Sequence, residues 1–329
     1  MEEEHRYEFH SYFGMAHRDP ITQAFAIPYL AGEVPDPPPS WQELRLLRDS
    51  MSRVAALSQA MITPQAIRAR DGIRTTSTGY RLWVQQEAAP LLADRTAMMQ
   101  QLGLLPTLPD LNLLPAGSWG IRMDFVLQTP YLSRDDRPFH ITDHPVRKEW
   151  VFDVPCIAAS MWKGVLRDAM RQARGYCSYQ QEQSDPQLMR LFGSASPGQA
   201  GTLRFFPTYF DRLGLVRFSP HNRRIGVPEG NGIVMECAPQ GSRGSVMILH
   251  VPRDHTTSHH DDDIPAVLDG LVAVLREHGI GAKKSLGFGM AEDHGDLEVR
   301  ISTRTFTRAN MKLGEMAETV GQWLRQEDH

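Results

Sequence analysis

Four basic residues, Lys163, Arg167, Arg171 and Arg174, recur at i, i+4, i+8 and i+11. At 3.6 residues per turn a helix would set them along one narrow stripe. The other side of the same segment is apolar, with Met161, Trp162, Val165, Leu166, Ala169 and Met170 spaced as an amphipathic helix requires. Aligned like charges repel by a few tenths of a kcal/mol per pair in an isolated helix. A polyanion laid along the stripe removes that cost. A solvated face with Asp168 as partial relief accounts for the pattern equally well, so the helix alone leaves both readings open. A second segment runs from Gly279 to Gly289 and holds Gly279, Gly281, Gly287 and Gly289 with the adjacent Lys283 and Lys284. Glycines let a backbone approach a phosphate chain closely with its N–H groups open, and lysines supply the charge. The GxxxxGK[ST] order is absent and the segment follows a helix, so it is no nucleotide-binding P-loop; a tight connection is the plainer account of such a turn. The run His255 to Asp263 offers consecutive His and Asp without metal-ligand spacing. It reads as a solvated loop whose acids complement the N-terminus of the following helix.

These segments need elements to position them. From Trp119, the residues Ile121, Met123, Phe125 and Leu127 alternate with Arg122, Asp124, Val126 and Gln128, the period of a half-buried strand. An extended stretch at Val154–Ser160 leads into the basic helix, predicted over Met161–Arg174 with Ser160 as its cap. Strands are predicted at Gly201–Phe206, Val246–Val251 and Leu297–Phe306, a further amphipathic helix at Ile264–His278, and a helical stretch ending at Leu324. Strand, helix, strands, helix, strand is the order of an α+β fold with helices on one face of a sheet, of ferredoxin-like (RRM-like) type. Before this core, helical patterns at Ser40–Gln59 and Gly79–Met99 flank a loop bearing Arg68, Arg70 and Arg74. The predicted organisation is a mostly helical N-terminal extension over 1–112, the core over 113–306 and a C-terminal helical tail over 307–329. Met98 and Met99 are read as core filler.

With 329 residues, 41% apolar and 22% charged, the chain can bury a real core and is not a disordered protein. No apolar run approaches the ~20 residues of a membrane span, so the expectation is a cytoplasmic protein without a membrane partner. Cys156, Cys177 and Cys237 show no CxxC spacing. They indicate neither a disulfide framework nor a cysteine zinc site, and are read as buried thiols. A net charge of -4 argues against a free-standing, nonspecific nucleic-acid binder. Any polyanion must therefore be met by local basic stretches.

Several segments together carry a family resemblance. Val154-Pro155-Cys156-Ile157-Ala158-Ala159-Ser160-Met161-Trp162-Lys163-Gly164-Val165-Leu166-Arg167 is followed by Leu191-Phe192-Gly193, by Gly201-Thr202-Leu203-Arg204-Phe205, and by Gly281-Ala282-Lys283-Lys284-Ser285-Leu286-Gly287-Phe288-Gly289. In order and rough spacing, across about residues 117–306, this resembles the RAMP superfamily of CRISPR-associated proteins. Ala158-Ala159 stands where Gly-Ser is usual in that family, and Met161-Trp162 where an aliphatic pair is common. The resemblance implies a ferredoxin-like subunit of a CRISPR type III-like ribonucleoprotein effector complex in antiviral defence. It would clamp guide RNA, meet target RNA and pack against other effector subunits, with base pairing reading the sequence and protein holding the sugar–phosphate backbone. Lys163, Arg167, Arg171, Arg174, Lys283, Lys284, Gly287 and Gly289 are then RNA-contact candidates. Thr142-Asp143-His144-Pro145-Val146-Arg147-Lys148 is similar to the "DNPVIRD" stretch of type III backbone subunits, whose aspartate is implicated in metal-dependent cutting of target RNA. By position Asp143 would be the catalytic and metal-holding residue, for a divalent ion such as Mg2+, and Arg147 and Lys148 would add RNA contacts. A carboxylate there could hold the ion or orient a ribose 2′-hydroxyl; an Asx-turn before Pro145 is the structural alternative. A stand-alone endoribonuclease that processes repeat RNA, with His144 as its candidate group, is the competing functional class.

Overall fold

The structure is a computed structural model, and it describes residues 20–30, 34–48, 52–53, 56, 84–85, 88–135, 144–194, 198–218, 233–253 and 259–326. In chain order the elements begin with α1 (Pro20–Leu30), a 3-10 segment at Pro39–Leu46, α2 (Ala88–Gln101) and β1 (Trp119–Leu127). Next come β2 (Cys156–Ile157), α3 (Ala159–Ala173), α4 (Tyr179–Gln183) and α5 (Pro186–Phe192). The strands β3 (Gly193–Ser194), β4 (Gln199–Ala200), β5 (Leu203–Phe205), β6 (Thr208–Tyr209), β7 (Gly214–Phe218), β8 (Ile233–Cys237) and β9 (Arg243–His250) follow. The chain closes with α6 (His260–Ala273), β10 (Ala291–Ile301), β11 (Thr305–Lys312) and α7 (Met316–Arg325). Two compact units emerge, one made of 1–96, 133–147 and 212–237, the other of 97–132, 148–211 and 238–329. The first unit therefore takes two later segments in addition to N-terminal residues.

In the second unit the sheet runs β11-β10-β1-β9-β5, every neighbouring pair antiparallel. With β1, β5, β9 and β10 as the four core strands and α3 and α6 as the two crossovers, this is the ferredoxin-like arrangement, with β11 added at one edge. The alternation read from β1 sets its faces. Ile121, Met123, Phe125 and Leu127 are buried, whereas Arg122, Asp124 and Val126 are half-buried on the other side. On α3 the buried residues are Trp162, Leu166, Ala169 and Met170, and on α6 they include Ile264, Val267, Leu268 and Leu271. Trp162 meets Phe125 edge-on at 6.1 Å between ring centroids, and its indole N–H donates to the Thr208 hydroxyl at 2.9 Å. A large aromatic is thus buried with its polar atom satisfied. Helices α3 and α6 approach closely at Gly270, where a Cβ would stand 2.7 Å from Leu166 Cδ1.

Four local expectations change. Ser160 does not cap α3, because the helix begins two residues earlier, at Ala159, with Ala158 at the cap and no side-chain bond there. The strand expected over Leu297–Phe306 is two strands, β10 and β11, turned at residues 302–304 with Ile301 N–H bonded to Arg304 O at 2.9 Å. The polar run Glu292 to Asp296 hides the start of β10 from an alternation rule, since its outer residues face solvent on an edge-proximal strand. Residues 307–312 are accordingly strand rather than helical tail, and only α7 beyond them is helical. Asp263 is not a solvated loop residue: it is fully buried in the first turn of α6, where it pairs with Arg190 at 2.7 Å.

In the first unit, the segment read as one helix over Ser40–Gln59 starts as the 3-10 turn at Pro39–Leu46, which buries Trp41 and Leu44. Strands β7 and β8 form an antiparallel hairpin. Burial of the Glu236 side chain is offset by a bond accepted from Val146 N–H at 3.1 Å. Cys156 and Cys237 are buried as expected, and burial pushes the Cys237 thiol up to about 12, but Cys177 is exposed. Met99 is core; Met98 is 54% exposed and is not.

Candidate nucleic-acid interface

The four basic residues of α3 do lie on one face, yet they are not a row of unopposed cations. Arg167 Nε is ion-paired with Glu182 on α4, whose side chain is only 3% exposed. Arg171 pairs with Asp168 at 2.9 Å. Arg174 Nε reaches Asp185 at 2.9 Å, while its Nη1 donates to Met170 O at 2.9 Å and its Nη2 to Gln187. Asp185 meanwhile caps α5 through the N–H groups of Gln187 and Leu188 at 2.9 and 3.0 Å, and accepts from Tyr176 at 3.2 Å. Arg167 and Arg174 thus hold α4 and α5 against α3. The expected self-repulsion is relieved inside the protein there.

Lys163 differs from the other three. Among the described residues no carboxylate lies within 4.0 Å of it, and it is half-buried. Burial first, then the Arg167 and Arg204 guanidinium groups, hold its ammonium below the ordinary lysine range. Arg204, on β5, is exposed and spends its hydrogen bonds on the carbonyls of Gly201 and Leu203 at 2.8 and 3.2 Å, with no carboxylate partner among the described residues. Arg167 Nη2 is buried with no bond partner among the described residues. These three cations outnumber the single carboxylate, Glu182, that serves them. Next to Lys163 in the chain the helix surface is open: among the described residues nothing lies within 4 Å of where a Gly164 Cβ would stand. Arg204 was missed in the sequence. Its signal was there, since Leu203-Arg204-Phe205 alternates and puts the arginine on the face opposite two core-facing neighbours.

The glycine-rich turn separates into a buried frame and an exposed tip. Gly289 cannot be an open phosphate contact as read from sequence. Its N–H is donated to Pro130 O at 2.9 Å, and a Cβ would lie 1.9 Å from Ile280 O. That glycine, at φ 76°, is required by the protein's own backbone crossing. Lys283, Lys284 and Gly287 instead form the exposed tip, with Lys283 and Gly287 in left-handed conformation and open space at Gly287. Arg147 is exposed and its N–H is held by Ser133 Oγ at 2.8 Å. Lys148 is 7% exposed and pairs as a bridge with Pro155, so little of it is offered to a phosphate. Asp143 lies outside the described residues. Among the described residues no group of three or more His, Cys, Asp or Glu gathers as metal ligands, and no helix is long and apolar enough to cross a membrane.

Comparison with curated proteins finds no match. A solved structure described as "Cryo-EM structure of the Type III-B Cmr-beta bound to cognate target RNA" is similar at 15% identity and a TM-score of 0.43, over 76% of this chain and 75% of that one. Comparison with protein families matches the RAMP superfamily over residues 125–292, a span from the last third of β1 to the start of β10 that includes α3, β5 and the glycine-rich turn. The chain belongs to the RAMP superfamily.

Proposed function

We propose that this chain is a guide-RNA-binding subunit of a CRISPR type III-like effector complex, and that Lys163 and Arg204 hold the RNA backbone across the start of α3. The observation that carries the reading is the uncompensated pair itself. Lys163 and Arg204 have no carboxylate partner among the described residues, Arg204 and Arg167 both act on the Lys163 ammonium, and Gly164 beside Lys163 in the chain is exposed with open space over it. A glycine inside an exposed helical turn costs about 1 kcal/mol relative to alanine, and the protein's own packing gives no return for it. A phosphodiester lying over Gly164 would use both the space and the charge. Lys283 and Lys284 at the exposed turn are further phosphate contacts in this reading. They would position RNA rather than read its sequence.

Reversing both charges, Lys163→Glu with Arg204→Glu, should weaken binding of a guide-length RNA at least tenfold. The slope of log affinity against log salt should fall by about 1.4, as two phosphate contacts on a single strand are lost. Filter binding over a salt series reads both quantities, and circular dichroism checks the fold. Unchanged affinity and slope in a folded variant would refute the reading. Target-RNA cutting at Asp143 with Mg2+ belongs to the same proposal as its enzymatic part. The Asp143→Ala variant should retain RNA and lose cleavage, and a 2′-deoxy nucleotide at the cut site should block cleavage in the parent, because the attacking hydroxyl is gone.

A further inference from the structure

Residues 148–155 form a turn that the RNA reading does not use. Lys148 bridges to Pro155, Glu149 N–H donates to Val154 O at 2.8 Å, and Asp153 N–H donates back to Glu149 O at 3.0 Å. One oxygen of the Glu149 carboxylate accepts both the Val151 and Phe152 N–H groups, at 2.8 and 2.7 Å. Asp153 takes φ 56°, a left-handed conformation uncommon for a residue with a side chain. The backbone is therefore over-determined. What this frame presents at its apex is Trp150, 76% exposed, beside Val151, 77% exposed. A flexible loop can tuck such a pair away; this one holds it out.

We propose that Trp150 and Val151 form a protein-docking knob that seats in an apolar pocket of a neighbouring protein subunit, a pocket rimmed by lysine or arginine. The pair is an aromatic anchor with an aliphatic partner, the kind of side chains that dominate protein interfaces. The fixed turn reduces the ordering cost of docking. Charge selects the class of partner. A base-stacking platform for single-stranded RNA is accompanied by cations that follow the phosphates. Here the acidic residues flanking the apex are Glu149 and Asp153, one on each side, Lys148 is buried, and the nearest exposed cation along the chain is Arg147, outside the turn. Acids beside an apolar tip repel a phosphate chain and attract a basic rim.

The inference rests on the chain working within a multi-subunit assembly, and its test separates the two. A photo-crosslinking p-benzoylphenylalanine is placed at position 150 of the full chain, the assembly is purified through this chain and irradiated, and adducts are mapped by mass spectrometry with and without ribonuclease digestion beforehand. The expected result is a peptide adduct on a sister subunit that survives ribonuclease, at a site combining apolar side chains with at least one Lys or Arg. In parallel, Trp150→Ala should lower retention of that subunit at least about thirtyfold while guide RNA remains bound. Asp153→Gly, which keeps the left-handed turn and removes a flanking acid, should weaken retention most at low salt. A nucleotide adduct at position 150 overturns the proposal in favour of base stacking. No adduct, with sister subunits and RNA both retained, overturns it and leaves the RNA reading standing; a chain that purifies with neither overturns both.

Discussion

Acidification should destabilise the sheet unit through one histidine. His250 ends β9, is 6% exposed, and lies flat on Trp119 with ring centroids 5.0 Å apart and planes 2° from parallel. One ring nitrogen bonds to the Gly117 backbone, and Nδ1 has no partner among the described residues. A second proton would therefore sit on an unpartnered buried nitrogen. Burial, reinforced by Arg190 and His259 and opposed by Asp263, pulls the imidazole down from 6.5 to about 4. The unfolded chain takes up its proton near 6.5 and the folded chain only near 4, so the group's contribution to stability is complete above pH 6.5. It is lost progressively as pH falls from 6.5 towards 4. At about 1.4 kcal/mol per pH unit, the difference between those values is worth ~3 kcal/mol. His250→Phe keeps a flat ring for Trp119 and removes the titration. Urea unfolding at pH 7.5, 6.5, 5.5 and 4.5 should show the parent losing about 2 to 3 kcal/mol more than the variant over that range, whatever their difference at pH 7.5. Parallel losses in the two proteins would refute the linkage and show that His250 protonates as easily folded as unfolded.

Three further outcomes follow from single contacts. Gly289→Ala should destabilise by at least about 3 kcal/mol, since its Cβ would strike the Ile280 carbonyl, whereas Gly287→Ala, with the same sign of φ but open space, should cost only about 1 kcal/mol; denaturant midpoints compare them. Glu182→Gln should cost about 3 kcal/mol by leaving Arg167 without its buried carboxylate, while RNA affinity stays level or rises, as filter binding would show. Gly164→Ala should add about 1 kcal/mol of stability through helix propensity, read as a higher thermal midpoint, and should lower RNA affinity if a phosphate lies over that position.

Periodicity revealed what depends on local pattern. The alternation of β1 and the apolar faces of α3 and α6 could be read directly, because burying one face of a strand or helix leaves a period of 2 or 3.6 in the residue types. Their order then fixed the ferredoxin-like topology. Local pattern could not show that Arg167 and Arg174 are answered by Glu182 and Asp185, acids on two short helices that fold back against α3. In the sequence those acids are solvent-facing residues of a polar stretch. Nor could composition separate Gly289 from Gly287. Both sit in one glycine-rich turn, and only the backbone crossing at Ile280 makes the first a packing residue and the second an exposed one.

The partition of α3 has an electrostatic logic of its own. A helix carries a partial positive charge at its N-terminus and a partial negative charge at its C-terminus. Arg171 lies in the last turn and Arg174 at the C-cap, where they offset the negative end, and both also have acid partners. The first turn contains no acidic residue and the Ala158 cap offers no side-chain acceptor, so the positive end stays uncompensated. Lys163 and Gly164 follow just after that first turn, and Arg204 is among the groups that lower the Lys163 ammonium. In a chain of net charge -4, a polyanion is not drawn to the protein as a whole. In the proposed reading it would meet the start of α3, where the helix N-terminus and the Lys163 ammonium are both positive and Arg204 adds to the field at Lys163. Of the four cations that a sequence stripe makes equivalent, the fold ties Arg167 and Arg174 to Glu182 and Asp185 outside α3 and Arg171 to Asp168 of its own helix, and leaves Lys163 without a carboxylate partner among the described residues.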